Sequence, residues 1–171
     1  MSCSNPNDAL LNCTFDNTPE LSLCGMTLKG RVLSCYDADT CKIALPILNT
    51  YYKFTCRLNG IDTPELKPRK DKVNRDNEIL LAKKARAELL KMMCDIELAS
   101  NFDNLDIKKD DVIKLLQNNK KIITVKCLEW DKYGRLLVEL YDKEDNEKSF
   151  NTLLVEKNLA YNYDGGTKKP W

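Results

Sequence analysis

Two short acidic runs and two arginines carry the chemistry open to this chain. The first run is Asp37-Ala38-Asp39-Thr40 and the second is Asp62-Thr63-Pro64-Glu65. Each gathers oxygen-bearing side chains in a loop just off a predicted strand end, a pattern suited to a hard cation. Pro64 pushes the backbone of Thr63 into an extended conformation, which fixes the direction of the Thr63 carbonyl, itself a good Ca²⁺ ligand. Taken singly, each run reads at least as well as a turn capped by its own side chains. Neither is an EF-hand loop, because the required glycine and the closing glutamate are missing.

Arg57 and Arg135 shift that balance. Arg57 alternates with Phe54, Cys56 and Leu58, and Arg135 with Leu136, Val138 and Leu140, so both point away from the predicted core and close to a loop. Two arginines beside an acidic metal cluster are the minimum set for phosphodiester hydrolysis. The metal polarises a phosphoryl oxygen, the guanidiniums neutralise charge in the five-coordinate transition state, and a carboxylate orients or deprotonates water. The chain has no histidine, which excludes Ser-His-Asp and Cys-His catalysis, histidine acid–base chemistry and imidazole-ligated zinc.

The elements that must position these groups read as α+β, mainly β. Cys41 to Ile47 and Tyr52 to Leu58 alternate apolar and polar residues across a short connection at Asn49-Thr50, which predicts a hairpin within a β region spanning Leu28 to Leu58. From about Asn77 the apolar residues Leu81/Ala82, Ala85, Leu89, Met92/Met93 and Ile96 recur at helical spacing, with Asp76 or Asn77 as the N-cap. A short helix is expected around Val112 to Gln117. Strands at Lys121 to Trp130 and Arg135 to Tyr141 flank the hairpin loop Asp131-Lys132-Tyr133-Gly134, with Gly134 at positive φ, and a last helix spans about Ser149 to Asn158. Five short antiparallel strands with a long helix and a short inserted helix between the third and fourth, and a helix at the C-terminal end, fit a small closed OB-fold barrel. An α+β sandwich is the other arrangement this order allows.

A chain of 171 residues is the size of one domain, and 43% hydrophobic residues suffice for a real core. The formal net charge of +1 excludes a uniformly basic tail, yet residues 67–91 hold nine Lys and Arg against four acids. Lys83, Lys84 and Arg86 read as the solvated face of the long helix, whereas the loop Lys67 to Lys72 is left as a substrate contact. The eight cysteines form no C-x-x-C pair, and the start of the chain lacks a signal-peptide pattern. Free, mostly buried thiols in an intracellular protein are expected. No apolar run has the length of a membrane span.

Together, Asp37-x-Asp39-Thr40, Arg57-Leu58 followed by Asp62-Thr63-Pro64-Glu65, and Asp131-Lys132-Tyr133-Gly134-Arg135 resemble the staphylococcal (micrococcal) nuclease, or thermonuclease, family. The resemblance covers roughly residues 28–163, and the tail Leu159 to Lys168 is similar to the viral, phage and protist branches. It implies an OB-fold nuclease domain over residues 28–171, an irregular N-terminal extension over 1–27, and an insertion at about 95–117. It also implies a Ca²⁺-dependent endonuclease that hydrolyses phosphodiester bonds in DNA and RNA and leaves 3′-phosphate ends, with one Ca²⁺ per chain.

Carried over by motif, Asp39 and Asp62 would bind Ca²⁺ through carboxylates and Thr63 through its carbonyl, with Asp37 a supporting acid. Glu65 would be the general base, and Arg57 and Arg135 would grip the phosphate. Lys132 and Tyr133 match substrate-contacting positions, and Tyr161 and Tyr163 are candidates for the tyrosine that packs on substrate, with core packing as the alternative. Single- or double-stranded DNA and RNA are the implied partners, with little sequence specificity, no membrane and a monomeric chain. Lys67 to Lys72, Lys132, Lys168 and Lys169 supply local positive potential. Ala38 replaces the family's usual glycine, which would strain the loop if that position needs positive φ. The slightly long spacing from Asp39 to Arg57 predicts a longer hairpin turn. A catalytically weak or inactive scaffold that binds nucleic acid or protein is the competing function.

Overall fold

The computed structural model describes residues 6–171. A short helix α1 (Pro6–Leu10) leads into β1 (Thr27–Asp37), β2 (Thr40–Ile47) and β3 (Thr50–Leu58). A two-residue strand β4 (Ile61–Asp62) precedes the long helix α2 (Arg75–Met93), the short helix α3 (Ile96–Ala99), a 3₁₀ turn over Ser100–Asp103 and helix α4 (Lys109–Leu116). Then come β5 (Ile123–Trp130), β6 (Leu136–Tyr141), helix α5 (Phe150–Glu156) and β7 (Tyr161–Asn162).

Five strands close into a barrel in the order β1-β2-β3-β6-β5, and β4 pairs with β7 in a separate ribbon. The OB-type α+β reading holds, with one correction: β3 and β6 are parallel, not antiparallel. Parity requires this. A closed ring with an odd number of strands cannot alternate direction all the way round, so one neighbouring pair must run parallel.

Period-2 burial fills the barrel. Val32, Ile43, Leu45, Leu58, Ile123, Val125, Leu136, Val138 and Leu140 are fully enclosed, as are Cys35 and Cys56. Seven cysteines among the described residues are free thiols and five of them are buried, as expected; Cys3 lies outside the described residues. Burial pushes the thiol of Cys56 up to about 12 and that of Cys127 up to about 11, so both behave as small apolar residues. No helix among the described residues is long and apolar enough to cross a membrane.

Several element boundaries differ from the sequence reading. The β2–β3 turn is Leu48-Asn49, with φ of 50° and 63°, in register with the pair Ile47 and Thr50. Two positive-φ residues make the tight turn that matches strand twist, so the long spacing from Asp39 to Arg57 is taken up by strand length, not by a longer turn. Helix α2 begins at Arg75, and its N-cap is Asn74 in a left-handed conformation without a side-chain cap bond, not Asp76 or Asn77. It also ends before Ile96, which is 92% exposed. The cause is Asn119, buried beyond α4, whose amide donates to the Met93 carbonyl and whose Oδ1 accepts from the Asp95 N–H. That side chain satisfies the helix end and turns the chain outward. Arg86 is buried and donates to the Ile107 carbonyl at 2.7 Å, so it ties α2 to the segment before α4 and is not part of a solvated face. Within the 1–27 lead-in, expected to be irregular, residues 6–10 form helix α1, while Met26 and Gly25 extend the pairing onto Cys127.

Gly30 shows how tightly the barrel is filled. A Cβ there would meet Ile43 Cγ2 at 2.8 Å, Leu45 Cδ2 at 2.9 Å and Val125 Cγ2 at 2.9 Å, all within the closed core. Branched neighbours cannot rotate away without losing their own packing. Gly30→Ala is therefore expected to destabilise the fold by about 1–3 kcal/mol in urea unfolding, with the slope unchanged.

Candidate active site

The barrel's register assembles the site at one end. Thr40 pairs with Arg57 across β2 and β3, and the Leu58 N–H donates to the Asp39 carbonyl at 2.8 Å. The turn carrying Asp37 and Asp39 therefore lies directly beside the guanidinium of Arg57. One amino group of Arg57 pairs with Asp39 Oδ2, while the other reaches Asp62 Oδ1 at 3.4 Å and the Ile61 carbonyl at 3.3 Å. One guanidinium thus joins the two acidic runs. Burial works against its charge, but Asp39 and then Asp62 more than offset this and hold Arg57 more firmly protonated than usual.

Asp39 and Asp62 are almost wholly enclosed, with side chains 8% and 2% exposed. Asp39 Oδ1 accepts from the Thr40 hydroxyl at 2.8 Å, and Asp62 Oδ2 from the Tyr161 hydroxyl at 2.9 Å. Asp37 accepts from the Leu66 N–H at 3.3 Å and so anchors the loop that presents Glu65. Burial, together with the like charges of Asp39 and Glu65, pushes the Asp37 carboxyl up to about 6, although the Leu66 N–H works the other way. Ala38 is fully buried and is not among the residues with positive φ, so the substitution for glycine brings no left-handed strain.

Asp37, Asp39, Thr40, Arg57, Thr63, Pro64, Glu65, Arg135 and Lys168 line one cavity of about 130 Å³. Arg57, Arg135 and Lys168 also border a larger adjoining cleft of about 640 Å³, whose wall includes Asp131, Lys132, Tyr133 and Tyr163. Arg135 is set by its own hairpin. Asp131 accepts from the Arg135 Nε at 2.7 Å and from the Tyr133 and Arg135 N–H groups, each at 2.9 Å. The left-handed Gly134, with φ of 74°, closes that turn as its sequence position predicts. The exposed ring of Tyr133 lies 5.2 Å from Lys132 Nζ and 5.4 Å from the Arg135 guanidinium.

Tyr161 is engaged in the protein's own packing. Its hydroxyl is on Asp62 and its ring is 5.0 Å from that of Trp171. Burial and the Asp62 carboxylate push its phenol up to about 12. Tyr163 is held by its N–H on the Gly60 carbonyl, at 2.8 Å, and borders the larger cleft.

Asp39, Asp62 and Thr63 offer only oxygen as ligand atoms, the kind a hard divalent cation takes. Among the described residues no group of three or more acidic or thiol side chains forms a ready-made metal site. Two carboxylates plus oxygens of Thr63 would have to serve, and Thr63 fits this role in one respect. Its Oγ1 is buried with no hydrogen-bond partner, a vacancy in bonding that a native structure rarely leaves without a reason.

Residues 55–169 match the family model for the staphylococcal nuclease homologue. The chain belongs to the staphylococcal nuclease family. That family consists generally of nucleases, which agrees with a nucleic-acid-binding fold for this SNase domain. Strands β1 and β2, with Asp37 and Asp39, precede the matched span but are integral to the same barrel. No curated protein matches the chain.

Two residues that contact these side chains were not legible as such in the sequence. Lys168, assigned only a diffuse potential there, lies 3.0 Å from Asp62 Oδ1 and 3.2 Å from Glu65 Oε1. Glu78, buried in the first turn of α2, accepts from the Glu65 N–H at 3.4 Å and pairs with Lys72 at 2.6 Å. Its pairing draws Lys72 inward, while Lys67, Arg69 and Lys70 remain exposed. The signal for Glu78 was its place at a helix start, where acids are favoured, but nothing local linked it to Glu65.

Removing the shared cation should leave the enclosed Asp39 carboxylate without an ion-pair partner and Asp62 with Lys168 alone. Arg57→Met is expected to lower unfolding stability by about 3–5 kcal/mol at neutral pH. Denaturant titration of the two chains checks this.

Proposed function

We propose that this chain is a Ca²⁺-dependent endonuclease that hydrolyses phosphodiester bonds in DNA and RNA and leaves 3′-phosphate ends. The nuclease domain spans residues 28–171, with 1–27 as an extension and 95–117 as an insertion. One observation carries the reading: Asp37, Asp39, Arg57, Thr63, Glu65 and Arg135, from four separate segments, share a single small cavity. A plain Ca²⁺-binding domain gives no reason for the two arginines to line it.

Asp39, Asp62 and Thr63 would hold one Ca²⁺, and when bound there it supplies Lewis-acid polarisation of a phosphoryl oxygen. Glu65, half-exposed at the cavity wall, takes the proton of an attacking water. Arg57 and Arg135 donate to the non-bridging oxygens and strengthen that hold as negative charge builds in the five-coordinate transition state. The 5′-oxygen then leaves, taking a proton from solvent water, and the phosphate stays on the 3′ side. Asp37 sets the Glu65 loop through the Leu66 N–H. The neighbouring cleft, with Lys132, Tyr133 and Tyr163, accommodates the flanking chain by charge and ring contact without reading base edges, so little sequence specificity is expected.

Cleavage of single-stranded DNA with and without Ca²⁺, with end-group analysis of the products, tests this proposal. The native chain should cut only with Ca²⁺ and leave 3′-phosphates. Glu65→Ala and Arg135→Ala should each lose on the order of 10²-fold or more in rate. Binding of single-stranded DNA without any cleavage would favour the scaffold reading.

A further inference from the structure

The residues after β7 turn back over the acidic cavity and deliver a cation into it. Gly165 and Gly166, with φ of 101° and 95°, both adopt a left-handed backbone that side-chain-bearing residues avoid, and a Cβ on either would meet nothing. The pair is there for the turn, not for space. Beyond it the Lys169 N–H donates to the Tyr161 hydroxyl oxygen at 2.9 Å, while that hydroxyl donates to Asp62. Trp171 then packs on the Tyr161 ring. These contacts fix the segment so that Lys168 Nζ bridges Asp62 Oδ1 and Glu65 Oε1.

A lysine on a solvated acid means little. Asp62 is different, because its carboxylate is 2% exposed and is therefore poorly screened. The Lys168 side chain, in contrast, is 46% exposed, so the ammonium can withdraw to water without disturbing the core. With Arg57 on Oδ1 and Tyr161 on Oδ2, Asp62 has no oxygen outside the protein's own contacts.

We propose that Lys168 is a tethered cation of this site that competes with the divalent metal for Asp62 while its other contact holds Glu65, so that metal entry requires its withdrawal. The proposal rests on the metal-dependent reading above. An ammonium and a divalent ion draw on the same carboxylate lone pairs and repel each other at contact distance. By linkage, whatever holds Lys168 in place weakens metal binding, and bound metal releases Lys168 by the same factor. The Gly165-Gly166 turn is where the strap would pivot.

The test uses the full chain. Calorimetric titration with Ca²⁺ compares native, Lys168→Gln and Lys168→Arg proteins. Acylation of lysine amines, read by mass spectrometry with and without Ca²⁺, uses exposed Lys70 as the internal reference. Lys168→Gln should bind Ca²⁺ on the order of tenfold more tightly, Lys168→Arg should remain near native, and Lys168 should be acylated several-fold faster once Ca²⁺ is bound while Lys70 is unchanged. Equal Ca²⁺ affinity in all three chains, with Lys168 reactivity indifferent to Ca²⁺, overturns the competition and leaves the metal site standing. Absence of Ca²⁺ binding in every chain overturns the competition and the metal reading together.

Discussion

The guanidinium of Arg57, shared between Asp39 and Asp62, is the interaction on which the arrangement of this site depends. Two enclosed carboxylates from different turns repel each other and lose hydration, and neither cost is borne without a cation between them. Arg57 is delivered there by register. Its pairing with Thr40 puts it one residue from Asp39, and the short step through Gly60 to β4 brings Asp62 to its other side. A one-residue slip of β3 against β2 would turn Arg57 into the barrel and Cys56 out of it. The apolar filling of the barrel and the ionic geometry at its end are therefore one constraint.

That dependence explains what the sequence made legible. Strict alternation in β2 and β3, the Asp131 to Gly134 turn and the outward arginines are local patterns, and each has a local physical cause. The helix boundaries were less accessible. Ile96 continues the apolar spacing of α2, but a side chain 23 residues further on, Asn119, takes the Met93 carbonyl and ends the helix. Arg86 looked solvated for the same reason, since the carbonyl that receives it belongs to Ile107. The parallel β3–β6 pair follows from counting strands in a closed ring, yet no residue in either strand announces it.

Lys168 is the largest gap between pattern and structure. In sequence it is one of two lysines beside a proline at the end of a glycine-rich tail, where the nearest acid is Asp164 and nothing local points to Asp62 or Glu65. Only the β4–β7 ribbon, which sets Tyr161 opposite Asp62, brings the tail across the cavity. The same ribbon sets the Tyr161 hydroxyl on the second oxygen of Asp62. The site is thus an acidic cluster balanced by two cations, one rigid on a strand and one on a strap.

A double-mutant cycle on unfolding stability, combining Arg57→Met with Asp62→Asn and separately with Asp39→Asn, tests this account most directly. If the guanidinium binds the two acidic runs into one unit, both pairs should show coupling of at least about 1 kcal/mol, well outside the ~0.3–0.5 kcal/mol within which independent sites add. Additive losses in both cycles would contradict the account, because each carboxylate would then be held by something other than Arg57.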